Sequence, residues 1–194
     1  MNDYDYPSCK DRIRIGGGGL LLYFKSGIKY QSKNNQYRVE ILPKHENSFL
    51  ICFVYRPPDS PSIWYKNFEK EIINASIMNK EIIFLGDLNI DYLKPVPTSW
   101  ETILTTHGFF QMITEPTRVT TTSVTLIDHI YTTNPENFID IKVPCYAISD
   151  HYPICCTKKS KSCQNSKTQS HKTISYRNFK HFDNNKFLED LLII

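Results

Sequence analysis

The chain has 194 residues, enough for one domain of ordinary size with its own core and a tail. An apolar content of 40% with 11 Phe and 12 Tyr excludes a disordered protein, and a net charge of +3 allows a nucleic-acid partner without requiring one. The 6 cysteines form no C-x-x-C pair, which argues against a zinc module, and the closing stretch Leu188 to Ile194 is far too short and too acidic for a membrane anchor.

Taken in order, Met1 to Ile15 is polar and has no clear period. Nothing basic and then apolar opens the chain, so the reducing interior of a cell is the expected compartment. Gly16 to Gly19 lack the Lys-Ser/Thr of a nucleotide-binding loop and read as a turn feeding a buried strand, Leu20 to Phe24. Tyr37 to Leu42 and Phe49 to Tyr55 are further strands with a hairpin connection between them. Arg56-Pro57-Pro58-Asp59 ends the second, because prolines cannot donate to a sheet ladder. Ser60 followed by Pro61 predicts a capped helix start, and Trp64, Phe68 and Ile72 at four-residue spacing predict an apolar stripe. Asn79-Lys80 closes that helix ahead of a strand at Ile82, which makes the parts of a β-α-β unit.

Ile82-Ile83-Phe84-Leu85 reads as a strand buried on both faces. It runs through Gly86 into Asp87 and Asn89, whose side chains share one side if the backbone stays extended. Thr98 with Glu101 predicts a capping box for a short helix ended by Gly108. Phe109 to Thr114, Val124 to Tyr131, Phe138 to Val143 and Tyr152 to Cys156 complete the expected strands. From Thr157 the composition turns polar and basic. The predicted organisation is therefore a domain over 1–157, a solvated linker over 158–180 and the start of an amphipathic helix over 181–194, cut off in mid-pattern.

Polar residues recur where apolar runs end: Asp87 with Asn89, Asp128 with His129, and Ser149-Asp150-His151. A single such ending reads as an Asx turn or a hydrogen-bonded core histidine, so the functional reading rests on their joint occurrence. Consecutive Ser149, Asp150 and His151 cannot form a hydrolase triad among themselves, and no G-x-S-x-G elbow exists. The hard oxygens of Asp87, Asn89 and Asp150 suit Mg²⁺ or Mn²⁺, and a His held beside a carboxylate favours its imidazolium form. Together these groups match hydrolysis of a phosphate ester.

Gly86-Asp87-Leu88-Asn89, Ser123 to Ile130 with Asp128, and Ser149-Asp150-His151, in that order, resemble the endonuclease/exonuclease/phosphatase superfamily. Val54-Tyr55-Arg56-Pro57-Pro58, Ile113 to Arg118 and Leu126 to Tyr131 are similar in particular to the endonuclease domain of non-LTR (LINE-like) retrotransposons. The resemblance covers Ile15 to Cys156 and implies a two-sheet α/β sandwich with flanking helices and the site at one end. It implies that Asp87 activates or protonates at the phosphate, that Asn89 orients water or phosphate, and that Asp128 holds the His151 ring. His151 would then stabilise the phosphorane, Tyr55 would hydrogen-bond the phosphate, and Asp150 would serve the metal. Arg56 and Arg118 are expected at the DNA backbone or in surface ion pairs, and His129 is expected to be structural. Whether Asp87 or His151 is the base stays open.

The resemblance further implies DNA as partner, fusion to a reverse transcriptase along the chain, and action in the nucleus. In the family, strands bearing an Asn and the principal metal-binding Glu precede the glycine-rich strand. Here only a polar leader with Asp3, Asp5 and Asp11 does so. The expectation is a truncated copy with an incomplete metal site and uncovered apolar surface. A phosphatase of small esters and a non-catalytic DNA-binding remnant are the alternatives.

Overall fold

The computed structural model describes residues 3–5, 8–11, 19–33, 38–44, 46–146 and 149–159. The closing helix, most of the glycine run and all of the expected linker except Lys158 and Lys159 lie outside them; those two continue the domain, Lys158 pairing with Phe138 and the Lys159 N–H donating to the Asn137 carbonyl. The leader carries more structure than its composition suggests: Tyr4 bridges Lys25, and β1 (Ser8–Asp11) pairs antiparallel with β2 (Gly19–Leu22). β3 (Tyr30–Lys33), β4 (Arg38–Ile41) and β5 (Phe49–Phe53) then form an antiparallel meander with the hairpin expected between the last two. α1 (Ile63–Ser76) crosses over to β6 (Ile82–Asp87), which lies parallel to β5. The predicted β-α-β unit is present.

α2 (Thr98–Thr106) leads to β7 (Phe110–Gln111), and β8 (Arg118–Val119) pairs with β9 (Val124–Thr125) in a small hairpin. β10 (Asp128–Thr132) returns antiparallel to β6. After a single 3-10 turn, β11 (Phe138–Lys142) pairs with β12 (Cys155–Lys158). The central sheet has 6 strands in the order β3-β4-β5-β6-β10-β7.

Alternation along the inner strands separates two cores. Leu50, Ile82, Phe84 and Tyr131 face one way, where Phe68, Ile72 and Ala75 of α1 and Trp100, Ile103 and Leu104 of α2 cover them. Ile51, Ile83, Leu85 and Ile130 face the other way, where Phe138, Ile141 and Cys156 of the β11–β12 ladder cover them. Helices on one side of a sheet and a second sheet layer on the other make the expected α/β sandwich. Half-buried Cys52 and Cys156 pack as small hydrophobes, and burial pushes the Cys52 thiol up to about 12.

Three local expectations are corrected. Neither helix uses its predicted side-chain cap. Ser60 Oγ donates to the Pro57 carbonyl at 2.7 Å instead, and α1 starts after Ser62. Pro97 occupies the cap of α2, which places Thr98 already inside the helix. The expected Val124–Tyr131 strand breaks at Leu126-Ile127. There the Asp91 carboxylate and the Thr117 hydroxyl, not a neighbouring strand, accept the two backbone N–H groups at 3.1 Å each.

Candidate active site

β6 and β10 bring the first two acidic groups together by register. Asp87 lies directly opposite Asp128 in the antiparallel ladder, the last matched pair after Gly86 with His129. Gly86 has φ +144°, and a Cβ there would lie 1.9 Å from the Val54 carbonyl oxygen. Only glycine lets the end of β6 pass this close to the chain leaving β5. That chain then continues the pairing, with the Arg56 N–H donating to the Asp87 carbonyl at 2.8 Å.

His151 arrives from a distant segment and completes the group. Its Nδ1 donates to Asp128 Oδ2 at 2.9 Å, and one ligand atom from each of Asp87, Asp128 and His151 falls within 4.8 Å of the others. Residues 64 positions apart in sequence thus share one spot. Burial raises the Asp87 carboxyl above its ordinary value and the facing Asp128 charge adds to this; the Asn89 N–H, donating at 3.0 Å, and His151 oppose it only in part. A half-buried proton acceptor thus stands beside a carboxylate-held imidazole.

Sequence reasoning missed the residue that joins the two halves of the dyad. Thr117 is fully buried, and its hydroxyl accepts the N–H groups of Ile127 at 3.1 Å and Asp128 at 2.9 Å. Its carbonyl accepts the N–H of Tyr152, next to His151, at 2.7 Å. The signal available was weak, a threonine before a proposed DNA-contacting arginine, and nothing in the sequence distinguishes it from its many neighbouring threonines.

The other predicted residues are placed as follows. Asn89 adopts φ +48°, the left-handed region open to asparagine, and its Nδ2 donates to the Arg56 carbonyl at 2.9 Å. Arg56 is 7% exposed, its guanidinium beside the rings of Trp64 and Tyr65, so it stands inside the protein and not on a DNA-facing surface. Tyr55 is half-buried in the wall of a cavity between β5 and α1.

Arg118 binds Asp150 Oδ2 through Nε and Nη2, both at 2.7 Å. Slight burial works upward on the Asp150 carboxyl, but the Arg118 hydrogen bond and charge outweigh it and hold the group below the usual range. Asp150 therefore stands outside the acidic cluster found among the described residues, engaged by an arginine. His129 is fully buried as expected of a structural residue, and burial pulls its imidazole down to about 4.

Two facing carboxylates beside one imidazole make a donor set that suits a divalent cation. The register that sets Asp87 directly opposite Asp128 supports the fit, since two facing carboxylates repel each other and a cation between them relieves the repulsion. Asp87 and Asp128 would supply the oxygens, while His151, tied to Asp128 through Nδ1, stands beside the ion's position.

The Endonuclease/Exonuclease/phosphatase family model matches residues 2–151. Among solved structures, the chain is similar to the endonuclease domain of TRAS1, a telomere-specific non-LTR retrotransposon, at TM-score 0.60 and 16% identity over 71% of this chain and 70% of that one. A family protein from Leptotrichia buccalis C-1013-b aligns at TM-score 0.60 and 18% identity, covering 82% of this chain and 73% of that one. The mannosyl-6-phosphatase Bt3783 of Bacteroides thetaiotaomicron VPI-5482 aligns at 0.56 and 12%, covering 81% and 77%. No curated protein matches the sequence. With the profile spanning most of the chain and the acidic pair and histidine meeting at one end of the sheet, this protein belongs to the endonuclease/exonuclease/phosphatase family of phosphate-ester hydrolases.

Proposed function

We propose that this chain hydrolyses phosphodiester bonds in DNA, nicking one strand with the help of Mg²⁺ or Mn²⁺. The observation that carries the reading is the convergence of Asp87, Asp128 and His151 within 4.8 Å. A carboxylate lifted above its ordinary value takes a proton from water more readily than an ordinary aspartate. Asp87 has that property, and the Asn89 N–H fixes the direction of its lone pairs. Asp128 anchors the His151 ring through Nδ1, which leaves Nε2 to donate toward a phosphate oxygen as charge develops there. A bound dication would offset the charge of the phosphate and lower the pKa of an attacking water.

DNA is favoured as substrate by the ordered motifs of the retrotransposon branch and by the likeness to the TRAS1 domain. In such an element the domain would precede a reverse transcriptase in one chain and act on nuclear DNA. Turnover is expected to be slow, because Asp150 is occupied by Arg118 and the cluster has two carboxylates among the described residues. The test is nicking of supercoiled plasmid with and without Mg²⁺. The expected result is slow, metal-dependent nicking that Asp87→Ala and His151→Ala each abolish. Cleavage indifferent to both substitutions would overturn the proposal, as would hydrolysis of sugar phosphates or nucleotides with no cleavage of DNA. DNA binding that weakens with salt but never leads to nicking would assign a non-catalytic role.

A further inference from the structure

The turn that carries Asp87 and Asn89 is held in an unusual way. Its successive carbonyls, those of Leu88, Asn89 and Ile90, each receive a hydrogen bond from a buried side chain. Arg56 Nη1 donates to Leu88 O at 3.2 Å and to Asn89 O at 3.3 Å. His129 Nε2 donates to Ile90 O at 2.9 Å. Arg56 comes from the segment after β5 and His129 from β10, the two neighbours of β6 in the sheet. Both are more than nine-tenths buried, at 7% and 0% exposed.

A carbonyl can only accept, so His129 carries a proton on Nε2, and full burial favours the neutral ring, which leaves Nδ1 bare. The Tyr131 hydroxyl donates to that Nδ1 at 3.0 Å and itself accepts from Trp100 Nε1 at 3.1 Å. The proton positions therefore run in one direction from α2 to the turn. A charged guanidinium and a neutral imidazole in the interior are costly to retain, and a turn needing only stability could be sealed by backbone pairing or by water. What the arrangement adds is placement. It fixes the height of the turn that follows Asp87 and carries Asn89.

We propose that Arg56 and His129 are positioning residues for the active site, a paired clamp that sets the Asp87–Asn89 turn by capturing three consecutive carbonyls. This rests on the hydrolytic reading for its catalytic consequence but not for its structural one. Arg56 thus acts through the turn and not on the DNA backbone. His129 acts in its neutral Nε2–H form.

The test uses the full chain with four substitutions. His129→Phe and Arg56→Met remove the donors at similar size, whereas His129→Gln and Arg56→Lys each retain one. Amide exchange by NMR should rise at least about tenfold at Leu88 and Asn89 in the donor-deleted variants and leave Phe84, in the middle of β6, unchanged. The donor-retaining variants should recover most of the protection. On plasmid, kcat should fall about 100-fold with KM little changed, the penalty for a catalytic group displaced by about 1 Å. The ¹⁵N shifts of His129 should show a protonated Nε2, and Tyr131→Phe should weaken that tautomer preference.

Equal acceleration at Phe84 and Asn89, or none at either, would overturn the clamp, as would a protonated Nδ1. If the wild-type chain cleaves nothing, the exchange and tautomer arms still decide the structural claim, and only the hydrolytic reading fails. Should the deleted variants fail to fold, Tyr131→Phe and Arg56→Lys carry the test.

Discussion

Asp87 is held in a state that costs the fold something. Its carboxyl lies above the ordinary value of 3.8 because it is partly buried and faces Asp128, so the folded chain binds its proton more tightly than the unfolded chain does. Stability from this group is complete below that ordinary value and disappears as pH rises through the higher folded value; beyond it the charged form is a liability. Asp87→Asn should therefore raise the melting temperature at pH 7 while abolishing hydrolysis, a trade measurable by thermal denaturation beside the nicking assay. Gly86→Ala should do the reverse of a neutral change: a Cβ 1.9 Å from the Val54 oxygen forces the two chains apart. The expected loss is about 3 kcal/mol or more in urea denaturation. At this scale the sequence exposes Asp87, Asn89, Asp128 and His151, because each follows an apolar run. It hides Thr117 and the inward role of Arg56, whose partners are backbone groups supplied by segments distant in the chain.

Among the elements, those with strong patterns are the readable ones. β6 is four apolar residues in a row, and α1 shows Trp64, Phe68 and Ile72 on one side, so both follow from burial alone. β3, by contrast, reads Tyr-Gln-Ser-Lys and has a neighbour on one side only among the described residues, where little apolar patterning is needed. β8 and β9 span two residues each, shorter than any periodicity can reveal.

Two predictions belong here. Trp100 of α2 is fully buried, with its ring centroid 5.3 Å from Phe68 of α1 and 5.7 Å from Tyr131 of β10. Trp100→Ala should cost about 3–5 kcal/mol by chemical denaturation, the price of an aromatic cavity between helix and sheet. On β4, buried Glu40 bridges Lys33 and Lys80, whose hydrogen bonds bring its carboxyl down to about 2. Its contribution is present above the ordinary value of 4.5 and is lost as pH falls from there toward 2. Glu40→Gln should cost about 2 kcal/mol at pH 7 and flatten the acid limb of the stability profile.

For the molecule as a whole, the sandwich and its family were legible because several motifs occur in a fixed order. The β1–β2 pairing was not, since Ser8–Asp11 carries no apolar alternation. A chain that presents two facing carboxylates only when folded should also be stabilised by the ion they suit. Millimolar Mg²⁺ or Mn²⁺ should raise the melting temperature of the wild type and leave that of Asp87→Ala unchanged, read by calorimetry.

The unbroken match from Thr132 with Ile83 to Asp128 with Asp87 has one further implication. Because successive side chains on a strand exit on opposite sides, sliding β10 by a single residue would exchange Ile130 and Tyr131 between two cores that each fit only one of them, and would point Asp128 away from Asp87 in the same movement. A deletion or insertion anywhere along that ladder cannot spoil catalysis and spare the fold. Lineages of this domain should therefore tolerate length changes in the hairpin before β10 and in the chain after it, but never between those two pairs.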